Sequence, residues 1–119
     1  MYTIAYAMLK DGNTPGKEFF DRLPPRDQAK LMSLFSRLAE HGEITNPEKF
    51  GDLKEGFREF KSHQIRMPCR FTPGRLVVVT HGFVKKKDKA PKEEIARAKR
   101  IFQEDQEHAA KTVGNPTFD

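Results

Sequence analysis

Residues 64–84, QIRMPCRFTPGRLVVVTHGFV, decide the fold of this chain. The first half alternates strictly, with apolar residues at 65, 67, 69 and 71 and Gln, Arg, Pro and Arg at 64, 66, 68 and 70. Such alternation is typical of a strand with one apolar face and one basic face. Pro68 has no backbone N–H, so it should lie at an edge or a bulge. TPGR then predicts a turn, and LVVVTHGFV, apolar on both parities, predicts a central strand covered on both faces.

The sequence predicts both strands and helices before this stretch. YTIAYAM at 2–8 predicts a first strand, KEFFDRL at 17–23 a short helix, and FREFKS at 57–62 another strand. A longer helix should begin at Pro25 and end near Gly42, because Leu and Phe recur at 31, 34, 35 and 38 on one helical face. Residues 43–56, EITNPEKFGDLKEG, read as a linker without a clear element.

The chain after this stretch predicts a third helix. Pro91 suits its first position, acids at 93 and 94 suit its first turn, and apolar residues stand at 95, 98 and 102. Residues from about 112 to 119 should form a loose tail. The element order predicts one α+β domain over 1–119. It would be a twisted antiparallel sheet of about four strands, with two N-terminal helices and a C-terminal helix packed on one side.

Composition excludes several classes of protein. The chain has 119 residues, 36% of them apolar and 33% charged, which suits one compact domain. No run approaches the length of a membrane-spanning helix, and the first residues lack a basic leader, so we expect a cytoplasmic protein. The single cysteine, Cys69, cannot form an internal disulfide. No Cys or His pair has the spacing of a zinc site, so we expect no metal and no other cofactor.

Positive charge is concentrated in one part of the chain. Residues 54–100 hold fourteen Lys and Arg against five Asp and Glu, a net charge of 14 − 5 = +9. The remainder holds eight bases and twelve acids, a net charge of 8 − 12 = −4. This asymmetry indicates a phosphate-rich partner, and a merely solvated basic face is the alternative.

The strand motifs also resemble a known family. FREFK at 57–61, then IRMPCRFTPGRLVVVTHGFVKKKDKAPKEEIARAK at 65–99, resemble the signature half of the phage-derived branch of the RelE/HigB toxins. That pattern has an E-L-R strand, an aromatic-Arg strand, a turn, an H-G-F-x-K-K segment and a helix. The resemblance covers residues 55–100 well, and the first half matches in the order of its elements.

The resemblance implies a fold, an activity and partners. It implies a RelE-like domain in a type II toxin that enters the ribosomal A site, contacts rRNA and cleaves mRNA there. It also implies a small antitoxin, in this branch commonly a helix-turn-helix protein. Relatives of the ParE group instead poison DNA gyrase. A basic nucleic-acid-binding protein of phage origin, without nuclease activity, is a third alternative.

RNA can be cut without a metal when the 2′-OH attacks the neighbouring phosphate. Such a site needs a proton acceptor, cations that stabilise the transition state and a donor for the leaving oxygen. The resemblance assigns phosphate stabilisation to Arg66, where the guanidinium fork suits two oxygens. Lys61 stands where the family has the Arg of E-L-R, and Lys85 matches the first Lys of K-K. His63 and His81 are the candidate bases, with a structural role the stronger interpretation for His81.

Further basic residues are candidates for binding the RNA backbone. They are Lys54, Arg58, Arg70, Lys86, Lys87 and Lys89, and for each an ordinary solvated side chain is the alternative. The chain departs from the family at one point. Several ribonuclease members carry a tyrosine near the C-terminus, whereas the tyrosines here are Tyr2 and Tyr6.

Overall fold

The computed structural model describes residues 1–86 and 92–113. Its elements are β1 (Thr3–Tyr6), α1 (Pro15–Asp21), α2 (Pro25–His41), β2 (Phe50–Lys54), β3 (Phe57–Ser62), β4 (Ile65–Thr72), β5 (Leu76–Val79), β6 (Phe83–Val84) and α3 (Lys92–Val113). The predicted helix start at Pro91, the binding residues Lys87 and Lys89, and residues 114–119 lie outside the described residues. The loose tail was predicted from about residue 112, but α3 continues to Val113. No described helix is long and apolar enough to span a membrane.

The strands form one sheet with the order β1-β5-β4-β3-β2, and β6 also pairs with β4. Strands β2 to β5 are antiparallel neighbours, as the tight turns predict. β1 differs, because it runs parallel to β5, with Thr3 opposite Leu76 and Tyr6 opposite Val79. The α+β class is therefore confirmed, with six strands in the described part of the chain where about four were expected.

The segment LVVVTHGFV forms two strands where one was predicted. β5 pairs with Cys69–Thr72 and β6 with Ile65–Arg66, and residues 80–82 separate them. Pro68 lies opposite this interruption, and its carbonyl accepts a hydrogen bond from the N–H of Thr80 at 2.9 Å. Because Pro68 has no N–H to return, the ladder on this side of β4 is interrupted at Pro68 and resumes with β6.

The linker at 43–56 contains a strand that the sequence pattern hides. β2 begins at Phe50, and its pairing with β3 shifts register between Asp52 and Lys54. Phe50 packs into the core beneath α2, and Leu53 packs against α3 on the opposite face. Each face of β2 thus carries a single large apolar side chain, so the strand lacks the alternation by which a strand is recognised.

α1 and α2 cover one face of the sheet. The predicted stripe at 31, 34, 35 and 38 is buried against Phe60, Met67 and the β5 residues Val77 and Val79. α2 begins at Pro25 and ends where Gly42 takes the left-handed conformation at φ 75°, as the sequence predicts. The ring of Phe35 meets that of Phe60 edge-on with 4.7 Å between centroids, which joins α2 to the middle of the sheet.

α3 lies on the other face, and the expectation of helices on one side is wrong. Its apolar stripe at 95, 98, 101 and 102 packs against Leu53, Phe57, Ala7 and Val78. Two carboxylates in the second half of α3 bind the backbone that follows β1. Asp105 accepts a hydrogen bond from the N–H of Met8 at 2.8 Å, and Glu104 accepts one from the N–H of Lys10 at 2.7 Å. The sheet is therefore covered on both faces, as predicted from the apolar residues on both parities of LVVV.

Gly82 is the point where α1 approaches the interruption between β5 and β6. A Cβ built on Gly82 would lie 2.0 Å from Cδ2 of Phe19, far inside van der Waals contact. Only glycine therefore allows the Phe19 ring to rest on this backbone.

Candidate functional site

Strand pairing brings several predicted site residues to one face of the sheet. Lys61 of β3 is opposite Arg66 of β4, and Arg66 is opposite Phe83 of β6. Glu59 lies two residues before Lys61 and therefore shares its face. The charges of Arg66, Lys61 and Lys85 all act on the carboxyl of Glu59. We call these four residues the Glu59 cluster.

Lys61 and Arg66 lie at a distance from the Phe57 and Phe102 contacts of α3. α3 packs on Phe57 of β3, and Phe102 of α3 lies under the guanidinium of Arg70. Lys61 and Arg66 each lie four residues along their strands from these contacts, a distance of roughly 13 Å at strand rise. Glu59 lies between these two cations and the Phe57 contact of α3.

Arg66 is held in place by backbone oxygens. Its Nη1 donates to the carbonyls of His63 at 2.6 Å and Ile65 at 3.0 Å. Its Nε lies 3.9 Å from Oε2 of Glu59 and, among the described residues, is buried without a hydrogen-bond partner. The guanidinium is therefore fixed in orientation, and its buried, unsatisfied Nε lies next to the carboxyl of Glu59.

Glu59 is a buried carboxyl that faces three cations. Only 7% of the residue is exposed, and burial raises its pKa above the ordinary value. Arg66, Lys61 and Lys85, in that order, oppose this rise, and Asp52 adds to it. A carboxyl with a raised pKa beside cations is a candidate for proton transfer.

The remaining cations of the cluster differ in their contacts. Nζ of Lys61 donates to the carbonyl of Pro47 at 3.0 Å. Lys85 follows β6 and is half-buried, and its N–H donates to the carbonyl of Gln64 at 2.7 Å. Lys86, the next residue, is exposed. Lys85 and Lys86 therefore have different surroundings, as expected for adjacent residues whose side chains point to opposite faces of a strand.

His81 is part of the core. Its side chain is fully buried, its Nδ1 lies 3.0 Å from Oγ1 of Thr80, and its Nε2 lies 3.0 Å from Oε1 of Glu94 on α3. Burial lowers the pKa of His81 to about 4, with the hydrogen bond to Glu94 opposing the shift. These contacts give His81 a structural role, in which it joins the end of β5 to α3.

His63 lies on the other side of the sheet from the cluster, in the turn between β3 and β4. Its ring is 61% exposed, with Nδ1 3.6 Å from Asp27 and Nε2 3.4 Å from Nζ of Lys30, both on α2. Its carbonyl, rather than its imidazole, contacts Arg66. Neither histidine therefore faces Glu59.

The predicted RNA-binding residues do not share one surface. Arg58 faces the α2 side, where its guanidinium lies 4.6 Å from the ring centre of Phe50. Arg70 lies on the α3 side, over the rings of Phe57 and Phe102. Lys54 is exposed at the β2–β3 turn. The two arginines thus pack on aromatic rings away from the Glu59 cluster.

The sequence prediction missed Glu59. It stands at the first position of the E-L-R pattern, two residues before Lys61, so parity alone places both on one face. Tyr2 and Tyr6 pack with the α2-side core through Phe71 and Phe35. Neither tyrosine is therefore on the face that carries the cluster.

Comparison with known proteins identifies the family. The family described as Phage derived protein Gp49-like (DUF891) matches residues 18–103, most of the chain. The chain belongs to the Gp49-like family. This family is one of the RelE-like toxin families, so the resemblance seen in the strand motifs is confirmed at family level. The Gp49-like match includes all four residues of the Glu59 cluster.

Among solved structures, the chain is similar to the RelBE2 toxin–antitoxin complex of Mycobacterium tuberculosis. The TM-score is 0.49 at 18% identity, over 71% of this chain and 98% of that one. A comparison with curated protein sequences found no match.

Proposed function

We propose that this protein is the toxin of a type II toxin–antitoxin pair and cleaves mRNA on the ribosome. The observation that carries the proposal is the Glu59 cluster, in which three cations and one carboxyl with a raised pKa share a face of a rigid sheet. Membership of a RelE-like family supports the reaction class and a cytoplasmic antitoxin partner.

The cluster contains the groups that cleavage by the 2′-OH requires. Arg66 and Lys61 would bind the non-bridging phosphate oxygens and stabilise the charge that develops in the transition state. Glu59 would accept the 2′ proton, because its pKa is raised toward working pH and neither histidine faces the cluster. Lys85 would donate a proton to the leaving 5′-oxygen. All groups come from the chain itself.

A second function has one observation in its favour. Both tyrosines lie on the opposite face of the sheet, so the cluster lacks the aromatic acid that several ribonuclease relatives carry. A toxin of this fold that binds DNA gyrase, or a nucleic-acid-binding protein without nuclease activity, would not need that group.

Induced expression separates these functions. Cleavage predicts rapid translation arrest, with new mRNA 5′ ends in register with codons when the ends are mapped across the transcriptome. Filamentation and DNA damage with intact mRNA would instead support the gyrase target. Normal growth, with mRNA intact, would contradict both toxin functions.

A further inference from the structure

A groove separates α2 from the β3–β4 turn, next to the Glu59 cluster. It encloses a cavity of about 350 Å³. The residues that line it and carry the argument are Lys30, Arg37, Lys49, Lys61, Ser62 and His63.

The groove is strongly positive. Lys and Arg contribute four of its lining residues, and Glu48 is the one acid among them. Lys30 and Arg37 are exposed on α2, and Lys49 is exposed before β2. His63 adds ring nitrogens near Lys30 and Asp27. Like charges gathered on the walls of a concave surface repel one another unless an anion neutralises them.

Ser62 provides an independent sign of a ligand. It is only 5% exposed, and its hydroxyl is buried without a hydrogen-bond partner among the described residues. Strand alternation points Ser62 toward α2, since its pairing partner Ile65 packs in the core on that side. An unsatisfied buried hydroxyl costs stability, so a partner for it in the groove is favoured.

The groove is continuous with the Glu59 cluster. Lys61 lines the groove and is also the cross-strand neighbour of Arg66. His63 contributes its ring to the groove and its carbonyl to Nη1 of Arg66. The phosphate backbone of a nucleic acid can therefore pass from the groove to the Glu59 cluster around the β3–β4 turn.

We propose that this groove binds the phosphate backbone of the single-stranded RNA that flanks the bond at the Glu59 cluster. The inference rests on the proposed function and extends it to a second, separate site. Lys30, Arg37 and Lys49 contact phosphate oxygens, and the Ser62 hydroxyl donates to one of them.

The lining favours RNA over an acidic peptide. Leu34 is the only large apolar residue among those that line the groove. A peptide helix or strand would need apolar pockets for its anchoring side chains, whereas a phosphate backbone needs cations and hydroxyl donors.

The first test measures RNA binding by fluorescence anisotropy. The probe is a 2′-O-methyl oligonucleotide of about ten nucleotides, which cannot be cleaved. K30Q/R37Q should weaken binding by about tenfold or more near 0.1 M salt, and lower the slope of log affinity against log salt by about 1.4. R22Q/R75Q removes the same charge from exposed sites elsewhere and should leave the slope almost unchanged.

The second test uses S62A. Loss of a neutral donor should weaken RNA binding several-fold with no change in the salt slope. The free energy of unfolding should stay the same or rise, because the variant removes a buried hydroxyl without a partner. A lower stability together with wild-type affinity would assign Ser62 a purely structural role and remove it from the site.

The outcomes separate this inference from the proposed function. If the wild type cleaves mRNA and K30Q/R37Q binds RNA like R22Q/R75Q, the groove inference fails and the proposed function stands. If K30Q/R37Q alone loses RNA affinity but the wild type leaves mRNA intact, the groove stands and the nuclease proposal fails.

Discussion

At the scale of single residues, the proposed function assigns phosphate stabilisation to Arg66. R66A should relieve toxicity on induction and lower the rate of ribosome-dependent cleavage by about 10²–10³-fold, the loss typical of one electrostatic donor. R75A is the matched control, because Arg75 is exposed in the β4–β5 turn. Full toxicity of a folded R66A protein, judged by its circular dichroism spectrum, would contradict the assignment.

Replacing Glu59 should change stability and activity in opposite directions. Its folded pKa is above the value of 4.5 expected for an exposed Glu, so its stabilising contribution is complete below pH 4.5 and is lost as pH rises through the folded pKa. At neutral pH, E59Q should therefore be at least as stable as the wild type in urea unfolding.

The same variant should lose activity. E59Q should lower single-turnover cleavage by about 10²–10⁴-fold, and the decline of the rate toward acid pH should disappear with the carboxyl. A wild-type pH profile in E59Q would show that Glu59 only positions its cationic neighbours.

At the scale of elements, the contact between α1 and Gly82 fixes the interruption between β5 and β6. G82A should cost about 1–3 kcal/mol of unfolding free energy, because the new methyl group collides with the Phe19 ring. F19A removes that ring, so the double variant should lose less stability than the sum of the two single variants. Strictly additive losses in a urea double-mutant cycle would show that another contact sets the cost.

Elements also show where sequence reasoning succeeds and where it stops. The stripe of α2 and the alternation in β4 follow from residue spacing, so both were predicted. The pairing of Lys61 with Arg66 was not, because strand register is set by the fold and not by local spacing. β2 was not predicted, because its two large apolar residues, Phe50 and Leu53, have opposite parity and pack on opposite faces, so neither face shows a repeat. Glu59 was overlooked because its pKa is raised by burial, and burial depends on the packing of the whole sheet, which no local pattern reveals.

At the scale of the whole molecule, His81 couples stability to pH. Its pKa falls from 6.5 to about 4 on folding, so its contribution is complete above about pH 6.5 and is lost as pH falls toward 4. Glu94 faces it, and Arg97 and Arg100 of the same helix act on it electrostatically. Its contribution to the fall in unfolding free energy is at most about 1.4 kcal/mol per pH unit.

H81Q isolates that contribution. Urea unfolding across this pH range should give a shallower pH slope for H81Q than for the wild type. H41Q should keep the wild-type slope, because His41 is 66% exposed at the end of α2. Equal slopes for all three proteins would contradict the role of His81.

The parallel pairing of β1 with β5 has a consequence for synthesis. Residues 3–6 are synthesised well before their sheet partners, residues 76–79, and Lys85 follows later still. A nascent chain therefore keeps β1 unpaired until β5 has been synthesised. The Glu59 cluster likewise cannot assemble before β3, β4 and the residues after β6 have all been made.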